Sequence, residues 1–213
     1  MKLISVNVSP PKEIQYKGEI VTTGIFKEPV QGRVMLRELN LDGDGQADLT
    51  VHGGVHQAVY VYPFEHYDYW KHKLGRQDLA HGQFGENFTV TEMMEDQIHI
   101  GDIFRIGNAV VQITQPRVPC YKLAIKMNLP KFPKLFMASA RTGFYLRVLQ
   151  EGEVGAGDAI ERIEIDPEKM TVQEIFHLAF RDHHDHEALK KALRLRGLSP
   201  GWHGMFAERL AAR

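Results

Sequence analysis

Ile98-His99-Ile100-Gly101-Asp102-Ile103-Phe104-Arg105-Ile106-Gly107-Asn108-Ala109-Val110-Val111-Gln112-Ile113-Thr114 is the stretch on which the fold class turns. Its short apolar runs are separated by the pairs Gly101-Asp102 and Gly107-Asn108. Isoleucine, valine and phenylalanine suit the pleated, half-buried surface of a strand, and Gly beside Asp or Asn supplies tight turns. The spacing predicts strands over 98–100, 103–106 and 109–114. Similar runs at 3–8, 58–62 and 159–165, the last preceded by Gly157-Asp158, carry this texture through residues 1–165. Many short strands joined by tight turns predict a mainly β barrel or sandwich, because curling an antiparallel sheet hides its edges. Two helices interrupt the pattern. One covers 64–74, with Tyr67, Trp70 and Leu74 at helical spacing; the other covers 133–141 and stops near Gly143.

Beyond Asp166-Pro167 the texture changes. Thr171-Val172-Gln173-Glu174 forms a capping box ahead of the apolar positions Val172, Ile175, Phe176 and Ala179. A second helix is predicted over 186–196 with Gly197 as its stop, and a third opens at Pro200-Gly201-Trp202. Residues 166–213 therefore read as a small three-helix bundle leaning on the β domain.

Composition narrows the function. The 213 residues carry 26 Lys and Arg against 27 Asp and Glu, a net charge of −1. A near-neutral chain is a poor candidate for gripping nucleic-acid polymer over a broad face. No run of about twenty apolar residues is present, so no membrane span is expected. The single cysteine, Cys120, excludes an intramolecular disulfide framework and fits a reducing, cytoplasmic setting.

Several motifs carry chemistry, each with a plainer rival. Asp42-Gly43-Asp44-Gly45-Gln46-Ala47-Asp48 begins like a calcium loop. Gln46, Ala47 and Gly53 then occupy the fifth, sixth and twelfth positions, and the calcium reading fails. The plainer reading is a turn with Asp side chains capping backbone amides. His52-Gly53-Gly54-Val55-His56 reads as a turn, an anion-binding nest or, less naturally given its paired glycines, a zinc site. Gly85-Glu86-Asn87 is a turn leading into a strand, where the Asn87 amide either caps or recognises a polar ligand. In Pro116-Arg117-Val118-Pro119-Cys120-Tyr121-Lys122 two prolines stiffen the chain around the thiol, and Arg117 and Lys122 favour thiolate over thiol. A reactive and a structural cysteine are both compatible with that context. His183, His184 and His186 with Asp182 and Asp185 read as a solvated helix end, since adjacent helical residues point apart.

Taken in order, Leu41-Asp42-Gly43-Asp44, His52-Gly53-Gly54 with Ala58-Val59-Tyr60, Gly85-Glu86-Asn87, Gly101-Asp102 and Arg117-x-x-Cys120 resemble the MOSC domain. The resemblance spans roughly residues 1–165, and residues 166–213 resemble the extra helical module of its YiiM-like branch. It implies a MOSC-type β-barrel, a molybdenum cofactor (molybdenum on molybdopterin) and reduction of N-hydroxylated bases such as 6-hydroxylaminopurine.

In that setting Cys120 is the expected metal ligand, because a soft thiolate suits molybdenum. Lys27, Arg33, Asn87 and Arg117 are the expected cofactor contacts, and His52 and His56 the candidates for proton delivery or substrate contact. Electrons would come from a separate flavin-containing reductase, as the chain shows neither an iron–sulfur cysteine set nor a dinucleotide fingerprint. The rivals are a persulfide carrier on Cys120, a non-catalytic module that binds the cofactor or a nucleotide, and a zinc hydrolase built on His52 and His56.

Overall fold

The computed structural model describes residues 1–45 and 53–212. Strands β1 (Lys2–Val8), β2 (Lys12–Tyr16), β3 (Glu19–Thr23), β4 (Glu28–Pro29) and β5 (Arg33–Leu36) come first. A single 3-10 turn (Val55–Gln57) precedes β6 (Val59–Pro63), helix α1 (Glu65–Leu74), β7 (Phe88–Thr91), β8 (Ile103–Ile106) and β9 (Ala109–Pro116). Helices α2 (Tyr121–Met127) and α3 (Phe132–Ser139) lead to β10 (Phe144–Gln150), β11 (Gly152–Gly155) and β12 (Ile160–Glu164). The chain finishes with α4 (Val172–Phe180), α5 (His186–Ala192) and α6 (Pro200–Ala211).

Eight strands form one mixed sheet in the order β12-β8-β9-β10-β6-β7-β1-β4. Its neighbours are antiparallel except β6 and β7, which run parallel because α1 makes the crossover between them. All five residues of β6 are buried. Successive side chains of a strand point to opposite faces, so Val59 and Val61 enter the main core while Tyr60 and Tyr62 enter a second one. That second core is aromatic, with Tyr67, Trp70, Phe84, Phe132 and Phe136 packed between the sheet and α1 to α3.

The sheet does not close into the expected barrel. It curls far enough for Lys2 to bridge Ala159 just ahead of β12, but among the described residues this contact is an isolated bridge, not a ladder. The free edge of β1 is divided: its start exchanges hydrogen bonds with residues 157–160, and its end pairs with β4. Neither partner has room for a continuous register.

Two local expectations are corrected. Residues 98–100 are not a strand, although Ile98 and Ile100 are buried. The Asp102 carboxylate accepts the His99 N–H at 3.0 Å, which pulls the backbone out of any ladder and leaves one bridge, His99 to Thr171. Helix α5 ends at Ala192, well before Gly197. Gly197 instead lies so close to Gly101 that a Cβ there would come within 2.5 Å of the Gly101 Cα.

The C-terminal helices share the main core, for Leu189, Trp202 and Phe206 join the same apolar cluster as Phe104 and Ile113. The buried Asp102 also accepts the Asp166 N–H at 2.9 Å, tying the start of this module to the sheet. Among the described residues no helix is long and apolar enough to cross a membrane.

The predicted capping box is formed: the Glu174 N–H donates to Thr171 Oγ1 at 3.0 Å and the Thr171 N–H to Glu174 Oε2 at 2.7 Å. Thr171→Ala should therefore destabilise the protein by ~1 kcal/mol in urea unfolding, the usual cost of losing an N-cap.

Candidate functional site

The site begins where β6 and the turn before β7 exchange hydrogen bonds. The Asn87 N–H donates to the Tyr60 carbonyl at 2.8 Å, and the Tyr60 N–H donates to Asn87 Oδ1 at 3.1 Å. Asn87 Nδ2 donates to Asp44 Oδ2 at 2.8 Å and to the Asn7 carbonyl at 3.3 Å. Asp44 Oδ1 accepts the Ser9 N–H at 2.9 Å and the Lys27 ammonium at 2.5 Å. Five separate chain segments, those of Asn7 and Ser9, Lys27, Asp44, Tyr60 and Asn87, are thus tied together through one carboxylate and one amide. Burial lowers the pKa of Lys27, with the Asp44 charge and hydrogen bond working against that shift.

Arg117 reaches the same place from the end of β9. Its N–H donates to the Gly143 carbonyl at 3.1 Å, and its guanidinium lies 4.5 Å from the Tyr60 ring centroid and 5.6 Å from that of Phe136. The residue is only 5% exposed, yet its Nη1 has no hydrogen-bond partner among the described residues. Burial opposes the charge, but Tyr60, Tyr145 and Cys120 outweigh it and hold the guanidinium above its ordinary value. A buried cation with a donor to spare is costly unless something anionic meets it.

Cys120 follows at the N-cap position of α2, half-buried. Helix α2 was not expected from sequence. It turns the chain sharply behind the two prolines and fixes the thiol at the rim of a cavity of about 630 Å³, mouth included. That cavity brings together Lys27, Asp44, Asn87, Arg117, Cys120 and Lys122, with Tyr60 and Tyr145 also in its wall. Its backbone wall is tight, since a Cβ on Gly24 would stand 2.3 Å from the Gly45 carbonyl oxygen.

Four of the residues singled out in the sequence, Lys27, Asn87, Arg117 and Cys120, therefore share one cavity. Asn87 spends its amide on protein partners and so positions Asp44 more than it offers itself to a ligand. Arg33 is elsewhere. It makes two bonds to Asp158, at 2.8 and 3.0 Å, and one to the Glu153 carbonyl at 2.8 Å, joining β5 to the turn before β12. His56 lines a neighbouring cavity, and His52 lies outside the described residues, as do Gln46, Ala47 and Asp48.

The sequence marks Asp44 as a turn-capping residue within the Leu41-Asp42-Gly43-Asp44 motif. It does cap the Ser9 N–H, and among the described residues it also supplies the one carboxylate of the cavity wall. In the C-terminal module Asp185 caps α5 through the Ala188 N–H at 2.9 Å, and His183 meets Arg209.

A curled mixed sheet presenting one thiol and several cations to a cavity, with a helical module fused to its core, defines the class. The chain belongs to the MOSC domain family, whose pattern matches residues 48–161. Residues 170–213 match the YiiM-like, 3-alpha helix domain. Protein YflK of Bacillus subtilis (strain 168) is 40% identical over 207 residues, 97% of this chain and 93% of that one. Protein YiiM of Escherichia coli (strain K12) is 35% identical over 192 residues, 89% and 85% of the two. A protein of Gibberella moniliformis named reductase is 33% identical over 165 residues, which cover 76% of this chain but 29% of that larger protein. The crystal structure of YiiM from Geobacillus stearothermophilus superposes with a TM-score of 0.84 at 34% identity, covering 98% of each chain.

One further lysine supports the cavity from behind. Lys126 Nζ donates to the Lys27 carbonyl at 3.2 Å and to the Gly82 carbonyl at 2.6 Å, and burial chiefly brings its pKa down to about 8. The unfolded chain takes up this proton near the usual value of 10.5, the folded one only near 8. Between those values the unfolded state binds more protons, so this residue makes stability climb with pH. Urea midpoints measured from pH 8 to 10 should rise in the wild type, and Lys126→Met should lose that part of the slope.

Proposed function

We propose that the protein is a molybdenum-cofactor oxidoreductase that reduces N-hydroxylated purines and related N-oxygenated compounds, drawing electrons from a separate flavin-containing reductase. The observation that carries this reading is the pairing, on one cavity, of the Cys120 thiol with a buried Arg117 guanidinium whose Nη1 lacks a partner. A molybdenum–pterin group needs what these residues offer: a soft thiolate for the metal and directed cationic donors for an anionic tail. Family membership and the reductase-named relative support the same reading.

Reduction of an N–OH to an N–H consumes two electrons and two protons and releases water. No side chain carries the electrons, so the cofactor, when bound, would supply the two-electron chemistry. The chain's own residues hold the rest. Cys120 Sγ would hold the metal, and Arg117 and Lys122 would neutralise the cofactor's anionic groups. Asn87 fixes Asp44, and Asp44 orients Lys27 Nζ at the wall. Burial makes that ammonium a readier proton donor than an exposed lysine, which suits it to hold one of the two protons.

The test is purification from a host that makes the cofactor, followed by metal and pterin analysis and assay of 6-hydroxylaminopurine with a chemical reductant. Near-stoichiometric molybdenum with reduction to the amine is expected, and Cys120→Ser should lose both. Protein without molybdenum or pterin, and inactive with the reductant, would overturn the reading.

A further inference from the structure

The turn Val55–Gln57 and the glycines before it have two sides. Gly53 and Gln57 line the Cys120 cavity, and both also line a second cavity of about 520 Å³, mouth included. The two cavities therefore adjoin. The far wall of the second is the start of α6, where Ser199, Gly201 and Trp202 meet His56 and Gln115.

The chemistry of the two walls differs sharply. Among the described residues the first carries Lys27, Arg117 and Lys122 against a single Asp44. The second has no Asp, Glu, Lys or Arg among its described residues, and two amide side chains, Gln57 and Gln115, each offer a donor and an acceptor. His56 Nδ1 is buried with no hydrogen-bond partner among the described residues. Burial first and the Arg147 charge second lower the His56 pKa, so its ring is neutral at pH 7. Thr114 Oγ1 donates to the His56 carbonyl at 2.7 Å and holds this turn in place. The side chain of Ser199, at the N-cap position, makes no capping bond to α6.

A wall of neutral donors and acceptors suits a ligand of the same kind. An ion placed there would lose hydration without a charged side chain on the described wall to meet it, whereas an uncharged nitrogen heterocycle exchanges water for amide contacts. We infer that this second cavity is the substrate-side vestibule of the Cys120 site, that it takes the uncharged heteroaromatic ring of an N-hydroxylated base, and that the first turn of α6 sets the size of ring admitted. The inference rests on the proposed reduction for its substrate class, but its geometry is independent of the cofactor.

Gly201 makes the test clean. No heavy atom lies within 4 Å of the position a Cβ would occupy there, so Gly201→Leu adds bulk without a clash at its first carbon and replaces a helical glycine with a better helix former. The full-length chain from a cofactor-competent host is titrated with 6-hydroxylaminopurine and followed by amide and indole NMR signals. Shifts at Gly53, Gly201 and the Trp202 indole N–H are expected, with affinity weakened about tenfold or more in Gly201→Leu, as a crowded pocket discriminates by size.

In steady-state assays, kcat/KM for 6-hydroxylaminopurine relative to that for a two-carbon N-hydroxyamidine should fall by a similar factor. Binding that leaves those signals unmoved, absence of binding, or an unchanged ratio in Gly201→Leu overturns the inference. So does a parallel fall in molybdenum content, which would make this wall part of the cofactor site. If the wild type binds as expected yet reduces nothing, the proposed reduction fails while the vestibule stands.

Discussion

Two adjacent buried polar side chains, Glu86 and Asn87, hold the region around the cavity together. The Glu86 carboxylate is fully buried and accepts the Gly82 N–H at 2.8 Å, the Phe84 N–H at 3.0 Å and Thr89 Oγ1 at 3.1 Å, with the Tyr67 hydroxyl as a fourth donor. Asn87 faces the other way and binds the backbone of β1 and β6 and the Asp44 carboxylate. A buried carboxylate is tolerable only when its lone pairs are met, and these are met by two N–H groups of the loop, Tyr67 of α1 and Thr89 of β7. The loop of residues 82–87 is thereby tied to α1 and β7, next to the parallel junction of β6 with β7. Tyr60 of β6 is held by Asn87 directly, and Lys27 through Asp44. Gly82 lies with its carbonyl on Lys126 and its α-carbon against the Lys27 backbone.

Local chemistry was legible in the sequence where a structural decision is taken by neighbours along the chain. Gly101-Asp102 and Gly107-Asn108 do bound β8, and the Thr171–Glu174 box does open α4. What failed depends on partners far away. Arg33 is a well-placed cation by its neighbourhood, and nothing nearby announces that Asp158, 125 residues on, will take it in two hydrogen bonds. Residues 98–100 have the composition of a strand, yet the Asp102 side chain competes for the backbone and wins. Helix α2 was hidden because the residues before it, Pro116 to Cys120, dominate any local reading. The seven residues that follow Cys120 are mostly good helix formers, but so short a segment is not stable by propensity alone, and packing of Leu123 and Met127 in the aromatic core completes it.

The candidate site was legible in part for the same reason. Cys120, Arg117 and Asn87 stand out because each sits in a motif whose turn or proline content is unusual. Asp44 carries no such mark: its role comes from Ser9, Lys27 and Asn87 converging on it from three places. His56 is a candidate for proton delivery or substrate contact by its residue type alone, and nothing local says which cavity it faces. The 3-10 turn carries its side chain to the side where α6 lies, and Gly53 and Gln57 are left as the residues common to both cavities.

A net charge of −1 conceals a local field. Asp44 is already engaged by Lys27, so among the described residues Arg117 and Lys122 are the cations of the first wall with no carboxylate opposite them, and the second wall carries no Asp, Glu, Lys or Arg. Such a division keeps an anionic group and an uncharged ring on separate sides of one turn. It is useful only if the turn and α6 keep a constant separation, and the packing provides that. Trp202 and Phe206 belong to the same continuous core as the sheet, and Gly197 lies against Gly101 with no space for a side chain between them. Interiors packed at such density do not deform smoothly. The helical module therefore acts as a fixed wall, and the width of the second cavity is set when the chain folds.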